Sequence, residues 1–297
     1  MKILLTGSNG QLGNTLQELL KTQENSLGTL PEEYKDCEVI AVDVEQLDIT
    51  NRNEVSKFID ENRPDLIINC AAMTNVDGCE TNREAAEAVN AHGPENLALA
   101  AKETNAKIVH VSTDYVFRGD ADKPYVETDQ CAPVTAYGAS KRNGELKVIA
   151  ATEKHFIFRT SWLYGLIGNN FVKTIRKFAK ERGALTVVND QRGNPTNCED
   201  LAYHILLAAI TQNYGVYHCT GKGECTWFDF AKKIVEYSNI PCTVDPCTTE
   251  QSNCPAKRPA YSSLDNRHLR ETVGDHMREW TVALKEYIQK LDSIENN

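Results

Sequence analysis

No apolar run in this chain is long enough to cross a bilayer, so a membrane-spanning role is not expected. Met1 leads straight into a short apolar stretch without the basic and apolar regions of a secretory leader, and a cytoplasmic location is expected. Positive charge is in deficit: 32 Lys and Arg face 42 Asp and Glu, for a formal net charge of −10. An acidic chain has no global attraction for nucleic acid or an anionic membrane, so neither is expected as a partner. Small anionic ligands stay open, because local cations and helix N-termini decide their binding. No internal repeat or low-complexity segment stands out. The ten cysteines include a cluster, Cys242, Cys247 and Cys254, whose spacing matches no C-x-x-C zinc pattern. Cys70 and Cys219 sit in apolar runs and read as small core residues, and all ten are expected to be reduced thiols.

What is present is the composition of a globular protein, 41% hydrophobic and 25% charged over 297 residues. That length suits one large domain, or a large one with a smaller companion. Lys2-Ile-Leu-Leu-Thr6 is an apolar run followed at once by Gly7, Gly10 and Gly13, and then by the helical periodicity of Leu12, Leu16, Leu19 and Leu20. Strand, glycine turn and helix are the setting a pyrophosphate needs: close backbone approach, free N–H groups and a positive dipole end. A second strand, 37–42, ends in Asp43, placed to accept from the hydroxyls of an adenosine ribose. A 2′-phosphate there would meet like charge, at roughly 4 kcal/mol for a pair about 4 Å apart in an effective dielectric of about 20. NADH is therefore expected to serve at least as well as NADPH. Asp48 and Ile49 suit an adenine, one for its amine and one for its ring face.

Residues 65–72 read as a third strand, 80–104 as a helix with Asn90 in its middle, and 106–112 as a fourth strand. Strands alternating with helices imply a doubly wound parallel sheet of the α/β class, with ligands at the carboxyl ends of the strands. Gly7, Asp43, Ala71 and Ser112 all fall at such ends. Thr113 follows the fourth strand with no helix expected after it, free to turn its hydroxyl into a cleft. Tyr137-Gly-Ala-Ser-Lys141 then puts a phenol and an ammonium one helical turn apart. The ammonium is expected to ease loss of the phenol proton, making Tyr137 a general acid toward a carbonyl. A fifth strand, 154–160, ends in Arg159-Thr-Ser-Trp162, a cation and an aromatic ring expected beside the cleft. From Asn213 the pattern changes to short strands, Val216 to Cys219 among them, mixed with helices; this part reads as a smaller lobe over the cleft.

Seven stretches in order carry a resemblance: Gly7-x-x-Gly10-Gln11-x-Gly13, Asn69-Cys-Ala-Ala72, Ser112-Thr-Asp-Tyr-Val-Phe117, Tyr137-Gly-x-Ser-Lys141, Arg159-Thr-Ser-Trp162, Asp190-Gln-x-Gly-x-Pro195-Thr196 and Arg258-Pro-x-x-Ser262-x-Leu-Asp265. With them the chain resembles the extended short-chain dehydrogenase/reductases and, among these, the dTDP-4-dehydrorhamnose reductases. The resemblance implies a Rossmann-type domain over residues 1–165. It implies a substrate-binding α/β lobe over 166–297, with part of 189–215 returning to the first domain. It implies reduction of the C4 keto group of dTDP-4-dehydro-β-L-rhamnose to dTDP-β-L-rhamnose by NADH or NADPH, a step of dTDP-rhamnose biosynthesis. By position, Thr113, Tyr137 and Lys141 would be catalytic. Gly7, Gly10, Gln11, Leu12, Gly13, Asp43, Asp48, Ile49, Ala71, Ala72, Met73 and Asn90 would line the cofactor together with Tyr137 and Lys141. The nucleotide sugar would meet Thr113, Asp114, Trp162, Pro195, Thr196 and Arg258.

One departure concerns metal. Some members hold Mg²⁺ with three carboxylates at a dimer interface; the matching positions here are Thr15, Glu199 and Glu286. Losing one hard anionic oxygen weakens such a site, so no metal is expected, and the chain is read as a monomer or homodimer. Two alternatives share the fold. A sugar-nucleotide epimerase or dehydratase would keep its cofactor through turnover, and Tyr115 after Asp114 leaves a dehydratase's acid–base pair missing. A non-catalytic regulatory subunit would not need an intact Thr113, Tyr137 and Lys141.

Overall fold

Ile3, Leu4 and Leu5 are wholly buried, which is why the first strand shows an unbroken apolar run where a one-sided strand would alternate. The computed structural model describes residues 1–252 and 256–295, so Cys254 lies outside the described residues. In chain order the main elements are β1 (Lys2–Thr6), α1 (Gln11–Thr22), β2 (Glu38–Val42), α2 (Arg52–Asn62), β3 (Leu66–Asn69), α3 (Gly93–Thr104), β4 (Lys107–Thr113), α4 (Ala136–Ala151), β5 (His155–Thr160), α5 (Phe171–Arg182), β6 (Ala184–Val188), α6 (Cys198–Ala209), β7 (Gly215–His218), α7 (Trp227–Tyr237), β8 (Thr243–Cys247) and α8 (Trp280–Glu295).

Six strands form one parallel sheet in the order β7-β5-β4-β3-β1-β2. The chain leaves β1 toward β2 on one side and resumes with β3 on the other. Strand order therefore reverses beside β1, where an open α/β sheet leaves a crevice at its carboxyl end. One apolar layer joins the sheet to α1 and α6 through Leu16, Leu19, Leu201 and Ile205; the opposite layer joins it to α2, α3 and α4 through Val55, Leu97, Ala98 and Val148. A third cluster, with Val172, Phe230, Ile234, Leu284 and Tyr287, holds α5, α7 and α8 around the parallel pair β6–β8.

The structure departs from the sequence reading in several places. Residues 215–218 were expected in the smaller lobe but form β7, hydrogen-bonded in parallel to β5. The helix expected over 80–104 is broken into Val76–Thr81, Arg83–Glu87, a π-turn at Ala88–His92, and α3. A 3₁₀ turn, Asp114–Val116, follows Thr113, and the Thr113 hydroxyl caps it by accepting from Tyr115 N–H at 3.2 Å. Short local turns of this kind carry no periodicity for sequence reading to detect.

Candidate active site

The glycine turn is tight for steric reasons. Gly7 has φ +67°, and a Cβ there would lie 2.5 Å from the Ala71 nitrogen; a Cβ on Gly13 would lie 2.3 Å from the Gly7 carbonyl oxygen. Gly10 caps α1 without a side chain, so the first N–H groups of the helix are left to a ligand. Gln11 does more than line this turn: its Oε1 accepts from Gly165 N–H at 3.0 Å and Asn170 Nδ2 at 3.1 Å, tying α1 to the loop before α5. At the end of β2, Asp43 accepts from Asn9 N–H at 3.1 Å and from Val44 N–H at 2.9 Å. Its carboxylate thus borders the glycine turn. These residues form a cradle suited to a dinucleotide.

Tyr137 and Lys141 lie on α4 as the spacing predicts. Thr135 caps that helix by accepting from Gly138 N–H at 3.0 Å. Two glycines let α4 approach closely: a Cβ on Gly138 would fall 2.1 Å from the Tyr115 carbonyl, and one on Gly144 2.1 Å from the Asn90 carbonyl. Thr113 donates to the Asp114 carboxylate at 2.8 Å and hydrogen-bonds the Tyr137 phenol. Tyr115 meets the Tyr137 ring edge-on, with centroids 5.7 Å apart.

The electrostatics correct one expectation. Burial pushes the Tyr137 phenol well above its ordinary range, opposed by the Thr113 hydrogen bond, with Asp114 and Cys79 adding to the rise. Lys141 is not among these influences; its Nζ donates to the Val111 carbonyl at 2.6 Å. Burial brings Lys141 down to about 8, against the Coulombic pull of Glu145. Burial lifts Asp114 to about 6, held back by hydrogen bonds from Ser262 and Thr113. Tyr137 therefore enters reaction fully protonated, as a proton donor requires.

Thr113, Asp114, Tyr137, Lys141, Trp162 and Arg258 line one cleft of about 660 Å³, together with Gly7, Gly10, Gln11, Leu12, Gly13 and Ala72. Sequence reading missed Trp227, whose indole stacks on Trp162 with centroids 3.5 Å apart and also lines the cleft. It missed Asp77 as well, which pairs with Arg258 at 2.9 Å. Neither has a local sequence signal, because each partner is far along the chain.

The remaining expected residues are held by contacts of their own. Asn90 is fully buried; its Oδ1 accepts from Met73 N–H at 2.8 Å, and its Nδ2 donates to the Met73 carbonyl at 3.0 Å and Ser140 Oγ at 3.1 Å. It holds the strand-end loop of Met73 against α4. Ile49 is packed in the core over Gly93, and Asp48 accepts from the Thr50 amide and hydroxyl. Ala71 lies against Gly7. Thr196 and Pro195 are buried; the Thr196 N–H donates to the carbonyl of Trp162, which lines the cleft, and Thr196 Oγ1 accepts from Gly221 N–H, both at 3.3 Å. Arg159, expected beside the cleft, is 2% exposed and forked onto Glu145 through Nε and Nη2, both at 2.8 Å.

A larger hollow, about 960 Å³, lies away from Tyr137 among α1, α5 and α8, and Thr15, Glu199 and Lys290 line it. Glu199 is held by Lys290 at 2.7 Å, Glu286 by the same ammonium at 3.1 Å and by Arg278. The Thr15 hydroxyl donates to the Gln11 carbonyl. Two carboxylates already paired with a shared lysine, one of them also with Arg278, do not suit Mg²⁺, and no group of three or more metal-ligating side chains gathers among the described residues.

Comparison with known proteins agrees with this geometry. The family model described as the RmlD substrate binding domain matches residues 1–293. The chain is 40% identical to dTDP-4-dehydrorhamnose reductase of Aggregatibacter actinomycetemcomitans, over 96% of this chain and 97% of that one. The crystal structure of a Clostridium acetobutylicum dTDP-4-dehydrorhamnose reductase superposes with a TM-score of 0.93 at 49% identity, covering 98% of this chain and 100% of the other. A Bacillus anthracis dTDP-4-dehydrorhamnose reductase in complex with NADP superposes with a TM-score of 0.91 at 42% identity, covering 97% and 99%. With its glycine cradle, its Thr113–Tyr137–Lys141 set and these matches, the chain belongs to the RmlD family, that of the dTDP-4-dehydrorhamnose reductases.

Proposed function

We propose that this chain reduces the C4 keto group of dTDP-4-dehydro-β-L-rhamnose to dTDP-β-L-rhamnose with NADH or NADPH. The convergence of Thr113, Tyr137 and Lys141 with the glycine cradle in one cleft carries this reading. The cradle of Gly7, Gly10 and Gly13 and the ends of β2 and β3 would hold the nicotinamide cofactor, which supplies the hydride when bound. Thr113 and Tyr137 hold the C4 oxygen as it gains charge. Tyr137 delivers its proton to that oxygen, and Lys141, one turn further along α4, would orient the nicotinamide ribose. The Arg258 guanidinium suits the diphosphate, and the paired indoles of Trp162 and Trp227 suit an apolar sugar face. Gln11, Asn90 and Glu145 orient these groups without needing to touch substrate. The same reading makes the protein a cytoplasmic monomer or homodimer that needs no metal.

The test is product identification after incubation of purified protein with dTDP-4-dehydro-β-L-rhamnose and each reduced cofactor. Stoichiometric NAD(P)H oxidation with formation of dTDP-L-rhamnose is expected, with NADH serving at least as well as NADPH because Asp43 borders the cradle. A hundredfold preference for NADPH in kcat/KM would mean that Asp43 does not face the ribose. No cofactor oxidation with this sugar would favour an epimerase or a regulatory subunit.

A further inference from the structure

His110 lies on β4 opposite Asn69 on β3, fully buried directly behind Lys141. Asn69 can be oriented without ambiguity. Its Oδ1 receives the Ala71 backbone N–H at 3.1 Å, and a backbone N–H only donates. The Thr6 hydroxyl meets the same oxygen at 2.8 Å. Asn69 Nδ2 is therefore a donor, and it meets His110 Nδ1 at 3.1 Å. Nδ1 must accept, so the neutral imidazole carries its proton on Nε2. That nitrogen lies 3.5 Å from Lys141 Nζ.

An ammonium at Lys141 thus faces the positive end of an N–H bond, while a neutral amine would receive a weak hydrogen bond from it. The remaining titratable neighbours of Lys141 are few. Glu145, on its own helix, favours the ammonium, but Arg159 and Arg142 already pair with that carboxylate. Cys70, after β3, is pushed by burial up to about 12 and stays a neutral thiol. Tyr137, one turn back, is protonated. Burial keeps His110 itself neutral, with Lys141 reinforcing it.

We propose that His110 is a positioning residue that sets the protonation balance of Lys141, its tautomer fixed by the Thr6–Asn69 chain so that Nε2–H is aimed at the lysine. The chain makes the lysine easier to deprotonate than burial alone would. The proposal draws on the reductase reading only for its consequence in turnover.

Its test therefore needs no substrate. In ¹⁵N-histidine-labelled protein, the ring correlations of His110 should show a neutral ring protonated at Nε2 throughout the pH range of the fold. A proton on Nδ1, or an imidazolium, would overturn the proposal. The Lys141 titration can be followed through the ε-carbon of ¹³C-labelled lysine. His110→Phe removes the N–H and should move that titration upward by roughly half a pH unit or more. Asn69→Asp should move it further, because a carboxylate draws the imidazole proton to Nδ1 and turns Nε2 into an acceptor. The added charge acts directly too, so the double variant separates the effects: Asn69→Asp should shift Lys141 less when His110 is already Phe. Equal shifts in both backgrounds, or an unmoved titration in His110→Phe, would contradict the proposal. If the reductase reading also holds, the alkaline limb of kcat/KM moves in the same direction.

Discussion

Tyr137 keeps its proton because its phenol is buried, and the same burial makes its loss expensive unless a negative charge is developing beside it. Tyr137→Phe removes the donor and one hydrogen bond to the oxyanion while keeping the ring. General acid catalysis is typically worth about 10²–10⁴-fold, so kcat in a steady-state assay should fall by at least about a thousandfold with cofactor affinity little changed. Retention of more than a tenth of kcat, with chemistry rate-limiting, would remove Tyr137 from its role. Asp114 offers a stability test with a definite sign. Its folded pKa of about 6 lies above the ordinary carboxylate value. Its contribution is therefore fully present at pH below the unfolded pKa and is lost as pH rises through about 6, where the buried group must ionise. Asp114→Asn keeps an acceptor for Thr113 and removes that penalty. By denaturant titration the variant should gain stability relative to wild type between pH 4 and pH 8, by up to about 3 kcal/mol. A difference independent of pH would mean that Asp114 is not buried in its charged form.

At the scale of elements, α4 is held on the sheet by a buried ion pair. Glu145 lies two turns beyond Tyr137 and one beyond Lys141; it is clasped by Arg159 of β5 and accepts from Ser112 of β4 at 2.6 Å. Glu145→Ala strands a buried guanidinium and should destabilise the protein by about 3–5 kcal/mol in urea unfolding, whereas the double variant with Arg159→Met should recover much of that loss. Failure of the double variant to recover would assign the loss to packing instead. This pair also marks where reading the sequence stops. The buried strands, the glycine turn and the Tyr137–Lys141 spacing were legible because each signal is local: an apolar run, a steric need, one helical turn. Arg159 looked like a cleft cation because its partner sits fourteen residues earlier on another element. Thr196 was placed with the sugar only through the resemblance; its bonds to the Gly221 amide and the Trp162 carbonyl join segments that no local pattern connects. Asn90 was tied to the cofactor only through the resemblance, because the π-turn that aims it at Met73 leaves no periodic trace.

At the scale of the molecule, the nucleotide cradle comes from the sheet, while Trp227 and Arg258 reach the cleft from the chain beyond α6. Arg258 bonds Asp77, and the Ala256 amide meets the same carboxylate at 3.0 Å, so the two sides of the cleft are already joined. On another face, Lys290 occupies the position between Glu199 and Glu286 where a cation would sit. Addition of EDTA should leave turnover unchanged, and loss of activity restored by Mg²⁺ would refute that assignment. The decisive question is whether the cleft carries out net reduction at C4. Purified protein incubated with dTDP-4-dehydro-β-L-rhamnose and NADH or NADPH carrying two deuterium atoms at C4 should give dTDP-L-rhamnose with one deuterium at the sugar C4, and one oxidised cofactor per product. Sugar recovered without deuterium, or isomerised with no net oxidation of cofactor, would contradict the reductase reading.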